Sequence, residues 1–66
     1  MQVIVNGTTR TLEPGVTVAQ LLEQMGLAGR RLAVERNGEI VPRSRHPEVP
    51  LAEGDRLEIV VAVGGG

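Results

Sequence analysis

This chain of 66 residues contains no phenylalanine, tyrosine, tryptophan, cysteine or lysine. Without aromatics the core must be assembled from Val, Leu, Ile, Ala and Met, and the stacking platforms on which single-stranded nucleic acids lie are missing. Without cysteine there is no disulfide, no thiolate metal ligand and no thiol nucleophile. Without lysine the chain has no internal ε-amine through which copies could be linked into lysine-bonded polymers. Charge of one sign is also lacking: the formal net charge is -1, so nothing draws the chain to a phosphate backbone. No apolar run approaches the ~20 residues of a membrane span. Neither nucleic acid nor membrane is therefore expected as a partner. Met1 leads straight into strand-like sequence rather than a basic and then apolar leader, which makes the cytoplasm the expected location.

Size sets a further bound. A domain this small buries only about 60% of the surface its unfolded chain exposes, which leaves no room for a deep active-site cavity. His46 and Ser44 stand two apart in a proline-bounded segment with no third group to orient the imidazole, so no nucleophile and base are expected there. An exposed, incidental histidine is the expectation. One histidine and no cysteine make a closed metal site improbable on ligand count, and none is expected.

What is present is a regular alternation of strand, turn and helix signals. Met1, Val3 and Val5 alternate with Gln2, Ile4 and Asn6, the period of two of a half-buried strand. Asn6-Gly7 is a two-residue hairpin turn, because both residues tolerate positive φ, and Thr8 to Leu12 returns as a more exposed edge strand. Thr17-Val18-Ala19-Gln20 has the pattern of a capping box, and Val18, Leu21, Leu22 and Met25 form one apolar helical stripe. Gly26 suits the left-handed position just past a helix end, with Leu27 placed for the apolar contact that accompanies it. Leu32 to Arg36 reads as a third strand, Asn37-Gly38 as a second hairpin turn, and Glu39 to Val41 as a short fourth strand stopped by Pro42. Pro42 to Pro50, with three prolines, reads as an irregular surface segment anchored by Leu51. Arg56 to Val63 is the longest strand, apolar enough from Ile59 onward to lie mid-sheet.

The order ββαββ followed by a closing strand places one helix on one face of a mixed sheet. A right-handed crossover through that helix sets the final strand parallel to the first, in the middle. The expected fold is α+β, a β-grasp or ubiquitin-like arrangement with a four- to five-stranded sheet. The body is expected to span residues 1–63, with a flexible glycine tail at 64–66.

Glycines at the end of a strand add nothing to a folded body, since each loses more backbone freedom on ordering than any other residue. What Gly64, Gly65 and Gly66 offer is a slim main chain that fits a narrow channel and an unhindered carboxylate. The tail is therefore the candidate working part. Parity along the strands sets Ile4, Val60 and Ala62 on the face away from the helix, and with Val63 they read either as a candidate partner-binding patch near the root of the tail or as the ordinary mid-sheet preference for β-branched residues. Arg30, Arg31, Arg36, Arg43 and Arg45 precede Glu48, Glu53, Asp55 and Glu58 in the chain. They read either as a steering pattern for docking or as an ordinary solvated surface.

Laid out in this way, the chain resembles the small sulfur carriers of thiamine biosynthesis, the ThiS family, from end to end. The likeness rests on Val3-Ile4-Val5-Asn6-Gly7, on Val34 through Arg43 with its Asn-Gly-Glu-Ile-Val-Pro-Arg core, on Leu51-Ala52-Glu53-Gly54-Asp55, and on the closing Gly-Gly. The small subunits of molybdopterin synthase share the expected fold and glycine end but look less like the central block. The resemblance implies that the carboxylate of Gly66 is adenylated by an ATP-dependent, E1-like activating enzyme and converted to a thiocarboxylate. The thiocarboxylate would then supply sulfur to thiazole synthase. By the same resemblance Gly65 and Gly64 thread the tail, and a sulfur donor such as a cysteine desulfurase takes part. The chain itself would be no enzyme and bind no cofactor, with ATP and Mg used by the activating enzyme. Ala62 stands where family members often carry an aromatic residue. A different sulfur acceptor, such as molybdopterin or a tRNA base, a role as a ubiquitin-like protein modifier, and an interaction domain with an inert tail are the alternatives.

Overall fold

The computed structural model of the chain describes residues 1–62. The expectations placed on Val63, Gly64, Gly65 and Gly66, including the boundary between body and tail, lie outside the described residues.

The elements follow in the order β1 (Gln2–Val5), β2 (Thr8–Thr11), α1 (Val18–Gln24), β3 (Leu32–Arg36), β4 (Glu39–Ile40), a 3-10 helix η1 (Arg43–Glu48) and β5 (Arg56–Val61). Five strands make one sheet in the order β2-β1-β5-β3-β4. β1 and β5 run parallel, and the other neighbours are antiparallel. The expected β-grasp arrangement is what the chain forms, with the last strand central.

Both Asn-Gly pairs turn as their sequences dictate. Asn6 and Gly7 take φ of 49° and 82°, and Asn37 and Gly38 take 51° and 85°. These are the positive values that a hairpin matching the strand twist requires. β5 ends at Val61, leaving Ala62 outside the strand expected to run on to Val63, and β2 and β4 are each a residue shorter than expected. Leu12 and Val41 leave β2 and β4 to turn into the core, although the Leu12 N–H still donates to Met1 O at 2.7 Å and the Val41 N–H to Val34 O at 2.8 Å.

α1 starts and stops where its ends say it should. Thr17 Oγ1 accepts from the Gln20 N–H at 3.2 Å, and Gln20 Oε1 accepts from the Thr17 N–H at 2.9 Å, closing the capping box. At the other end the Gly26 N–H donates to Glu23 O and the Leu27 N–H to Leu22 O, the double closure of a Schellman motif. Val18, Leu21 and Leu22 are buried against Val3, Val5, Val34, Leu57 and Ile59 on one side of the sheet, with Met25 and Leu27 half-buried at the margin. Each fully buried aliphatic side chain contributes about 1.5–3 kcal/mol, so this layer holds most of the stability.

Pro42 to Pro50 departs from expectation. Within it Arg43–Glu48 form a 3-10 helix, and proline's fixed φ, here -58° at Pro42, suits the residue that leads into such a turn. The segment is tied down at its end: the Val18 N–H donates to Val49 O at 3.0 Å and the Leu51 N–H to Val16 O at 2.8 Å. His46 is correspondingly not exposed. It retains 6% of its surface, and its Nε2 lies 3.1 Å from Val41 O, to which it donates. It ties η1 back to Val41, just past β4, and Ser44 stays exposed beside it.

Candidate functional site

The strand that leads into the glycine tail is the best held in the sheet. β5 pairs with β3 over Leu57 to Val61 and with β1 at Arg56 and Leu57. The asparagines of the two hairpin turns add a grip that reading Asn-Gly as turn chemistry alone does not reveal. Asn6 Oδ1 accepts from the Ile59 N–H at 2.7 Å, and Asn6 Nδ2 donates to Ile59 O at 3.1 Å. The side-chain amide thus stands in for a main-chain partner just where β1 ends. On the other flank Asn37 Oδ1 accepts from the Arg56 N–H at 2.9 Å, and the Asn37 N–H donates to Arg56 O at 2.7 Å.

A buried carboxylate ties the start of β5 to the same turn. Asp55 keeps 6% of its surface. Its oxygens accept from Arg36 Nε at 2.8 Å, Asn37 Nδ2 at 3.0 Å and the Ala52 N–H at 2.8 Å. Burial by itself would raise the Asp55 carboxyl, but the hydrogen bonds from Ala52, Asn37 and Arg36, with the charge of Arg36, outweigh it and hold the carboxyl below its ordinary value. Asp55 and Arg36 therefore belong to the frame rather than to a solvated charge pattern. Its signal in the sequence was the Glu-Gly-Asp turn, which does not disclose partners eighteen and nineteen residues away.

The face of the sheet turned away from α1 carries the candidate patch. Val60 is 64% exposed and sits opposite Ala33 in the β3–β5 ladder, with Ala62 exposed at the end of the strand, where its N–H donates to Arg31 O at 2.9 Å. Ile4 lies on the same face but level with Arg56, four positions before Val60, which is about 13 Å along the strand. Val60, Ala33 and Ala62 thus group together, while Ile4 stands apart from them with Glu58 between. Glu58 lies directly opposite Glu35, and Ile40, also 64% exposed, is next across from Glu35. Among the described residues neither glutamate is paired with an arginine. On the helix side, a shallow cavity of about 300 Å³ between α1 and η1 is lined by Leu22, Leu27, Arg30, Arg43 and His46. No helix among the described residues is long and apolar enough to cross a membrane.

This arrangement is shared with known proteins. The ThiS family model matches residues 3–66. The chain is 46% identical over its whole length to a thiazole synthase of Paramagnetospirillum magneticum, of which it covers 20%, and it spans about a fifth of the first curated relatives it matches. It is 44% identical over 76% of its length to the sulfur carrier protein ThiS of Bacillus subtilis, covering 76% of that protein. The crystal structure of a ThiS thiamine biosynthesis protein from Geobacter metallireducens superposes with a TM-score of 0.84 at 30% identity, with both chains fully covered. A central closing strand, a single capped helix packed on one face and these similarities along the chain lead to one conclusion: the chain belongs to the ThiS family.

Proposed function

We propose that this chain is a sulfur carrier of thiamine biosynthesis that works through the carboxylate of Gly66. The observation that carries this reading is the family match, which runs through to residue 66 and so includes all three tail glycines. A terminal carboxylate, with an ordinary pKa near ~3.5, is ionised at neutral pH and is a poor electrophile. In the proposed cycle its oxygen attacks the α-phosphate of ATP on an E1-like activating enzyme, and pyrophosphate leaves. The terminal sulfur of a persulfide, carried by a donor such as a cysteine desulfurase, then attacks the acyl carbon and displaces AMP, and a thiol reductant cleaves the resulting acyl disulfide, itself ending as a disulfide, to leave the thiocarboxylate. A side chain at Gly65 or Gly66 would crowd both displacements, and glycine removes that obstacle.

The thiazole synthase relatives support that enzyme as the acceptor, because a stretch similar to the whole of this chain is part of their own sequence. In this cycle the chain is a substrate and carrier rather than an enzyme, and it works in the cytoplasm. Ordering three flexible residues in a channel costs roughly 1–2 kcal/mol each, so the body must dock as well. Val60 and Ala62, with Val63 following, form the surface best placed for this, and Ile4 would touch only a broader partner.

The test is ATP–pyrophosphate exchange with the activating enzyme of the same cell, comparing the full chain with one lacking Gly66. Exchange is expected only with the full chain, and the chain isolated from thiamine-producing cells should have an intact mass raised by replacement of one oxygen with sulfur. Equal exchange with the shortened chain would refute the reading. For the docking surface, Val60→Asp should leave the circular dichroism spectrum intact and lower exchange at least tenfold. Undiminished exchange would remove that surface from the interface.

A further inference from the structure

Asn6-Gly7 and Asn37-Gly38 carry a reactivity that their work as turns does not use. In an Asn-Gly pair the glycine nitrogen can reach the carbonyl carbon of the asparagine side chain, because glycine puts no side chain in the way. The attacking nitrogen gives its proton to solvent and bonds to Cγ, the bond from Cγ to Nδ2 breaks, and ammonia leaves a cyclic imide. Water then opens the ring at either carbonyl, giving aspartate or the isomer whose main chain runs through the side-chain carboxyl. No oxidant or cofactor enters, and the product carries a new negative charge.

In the folded chain the nucleophile is free at both turns. Both pairs are exposed, and among the described residues neither the Gly7 nor the Gly38 N–H donates a hydrogen bond within the protein. The electrophile is not free. Asn6 Oδ1 and Nδ2 are both engaged by Ile59, at 2.7 Å and 3.1 Å. Asn37 Oδ1 is engaged by the Arg56 N–H at 2.9 Å, and its Nδ2 by Asp55 Oδ1 at 3.0 Å. Attack turns the planar amide carbon tetrahedral and expels its nitrogen, so these bonds must open first.

The two guards are unequal. Asn37 donates to a buried carboxylate that Arg36 and Ala52 also hold, and a hydrogen bond to a charged group is roughly twice as strong as a neutral one. Both bonds of the Asn6 amide go to the neutral main chain of one residue. We propose that Asn6 is a self-modification site gated by β5: its amide is kept while Ile59 holds it and is lost when that strand loosens. A carboxylate formed at position 6 sets an oxygen against Ile59 O, where Nδ2 donated, so the hold is not remade. Loosening of the central strand is thereby recorded irreversibly, whatever the tail carries.

Peptide mapping of the full chain kept in mildly alkaline buffer tests the proposal, the product being recognised by the mass gained when NH2 becomes OH and by isoaspartate. Denaturing urea supplies the unguarded rate at each pair. In the folded chain both should react at least tenfold more slowly than in urea, with Asn6 converting several times faster than Asn37. Equal rates in the folded and unfolded chain, or Asn37 converting first, would overturn the proposal. Amide hydrogen exchange on the 15N-labelled chain adds a second measure. As urea is raised short of the unfolding transition, loss at Asn6 should rise in step with exchange of the Ile59 amide. Loss that stays flat while Ile59 exchange climbs, or that follows the Thr8 amide of the hairpin and not Ile59, places the guard in the turn itself and also overturns it.

Discussion

At the scale of single residues, Asp55 does the most with the least surface. Three donors converge on its buried carboxylate, so Asp55→Asn should lower stability by about 1–3 kcal/mol at neutral pH, measured by urea denaturation. The pH dependence has a definite direction. The folded carboxyl binds its proton less tightly than the unfolded one, ordinarily near ~3.9, so its contribution is fully present above that value and is lost as pH falls through the lower folded value. The gap between wild type and Asp55→Asn should therefore be widest near neutrality and narrow on acidification below about pH 4. A constant gap would mean the charge is not what the site uses. None of this was legible in the sequence, and neither was the grip of Asn6 on Ile59 or the burial of His46. Each depends on partners brought together by the fold, up to 53 residues apart, whereas the composition of a turn reports only on its own backbone.

At the scale of elements, the parts that could be read are those whose causes are local. The period-two runs of β1 and β5, the two Asn-Gly turns and the capped helix carry their instructions within a few residues, and each forms as expected, apart from β5 ending at Val61, short of Ala62. The 3-10 helix at Arg43–Glu48 was not legible, because three prolines mark a break without showing what shape it takes. Pairing between strands adds a feature that parity could not supply. Glu35 and Glu58 stand directly opposite each other, an arrangement that costs stability where no cation intervenes. Glu58→Lys should raise stability by roughly 0.2–1 kcal/mol in thermal or urea unfolding at low salt, and the gain should shrink as salt is added. A loss of stability would show that the two carboxylates are already neutralised by their surroundings. The candidate patch was legible as a face, but the separation of Ile4 from Val60 was not, since register between β1 and β5 is set by the crossover and not by either strand alone.

At the scale of the whole molecule, a core of aliphatic side chains in 66 residues leaves little to spare. A domain of this size is held by roughly 3–10 kcal/mol in all, and truncating a fully buried leucine removes about 2–5 kcal/mol of it. Leu21→Ala should accordingly lower the melting temperature by at least ~10 °C in a circular dichroism melt, and a smaller shift would show that the helix–sheet layer collapses around the gap. The central placing of β5 has a mechanical consequence. A pull applied at its C-terminal end is borne in shear by the parallel ladder to β1 on one flank and the antiparallel ladder to β3 on the other, with many bonds loaded together rather than opened one after another. Pulled between a held Met1 and the end of β5, the body should therefore resist unravelling more strongly than it would with this strand at a sheet edge.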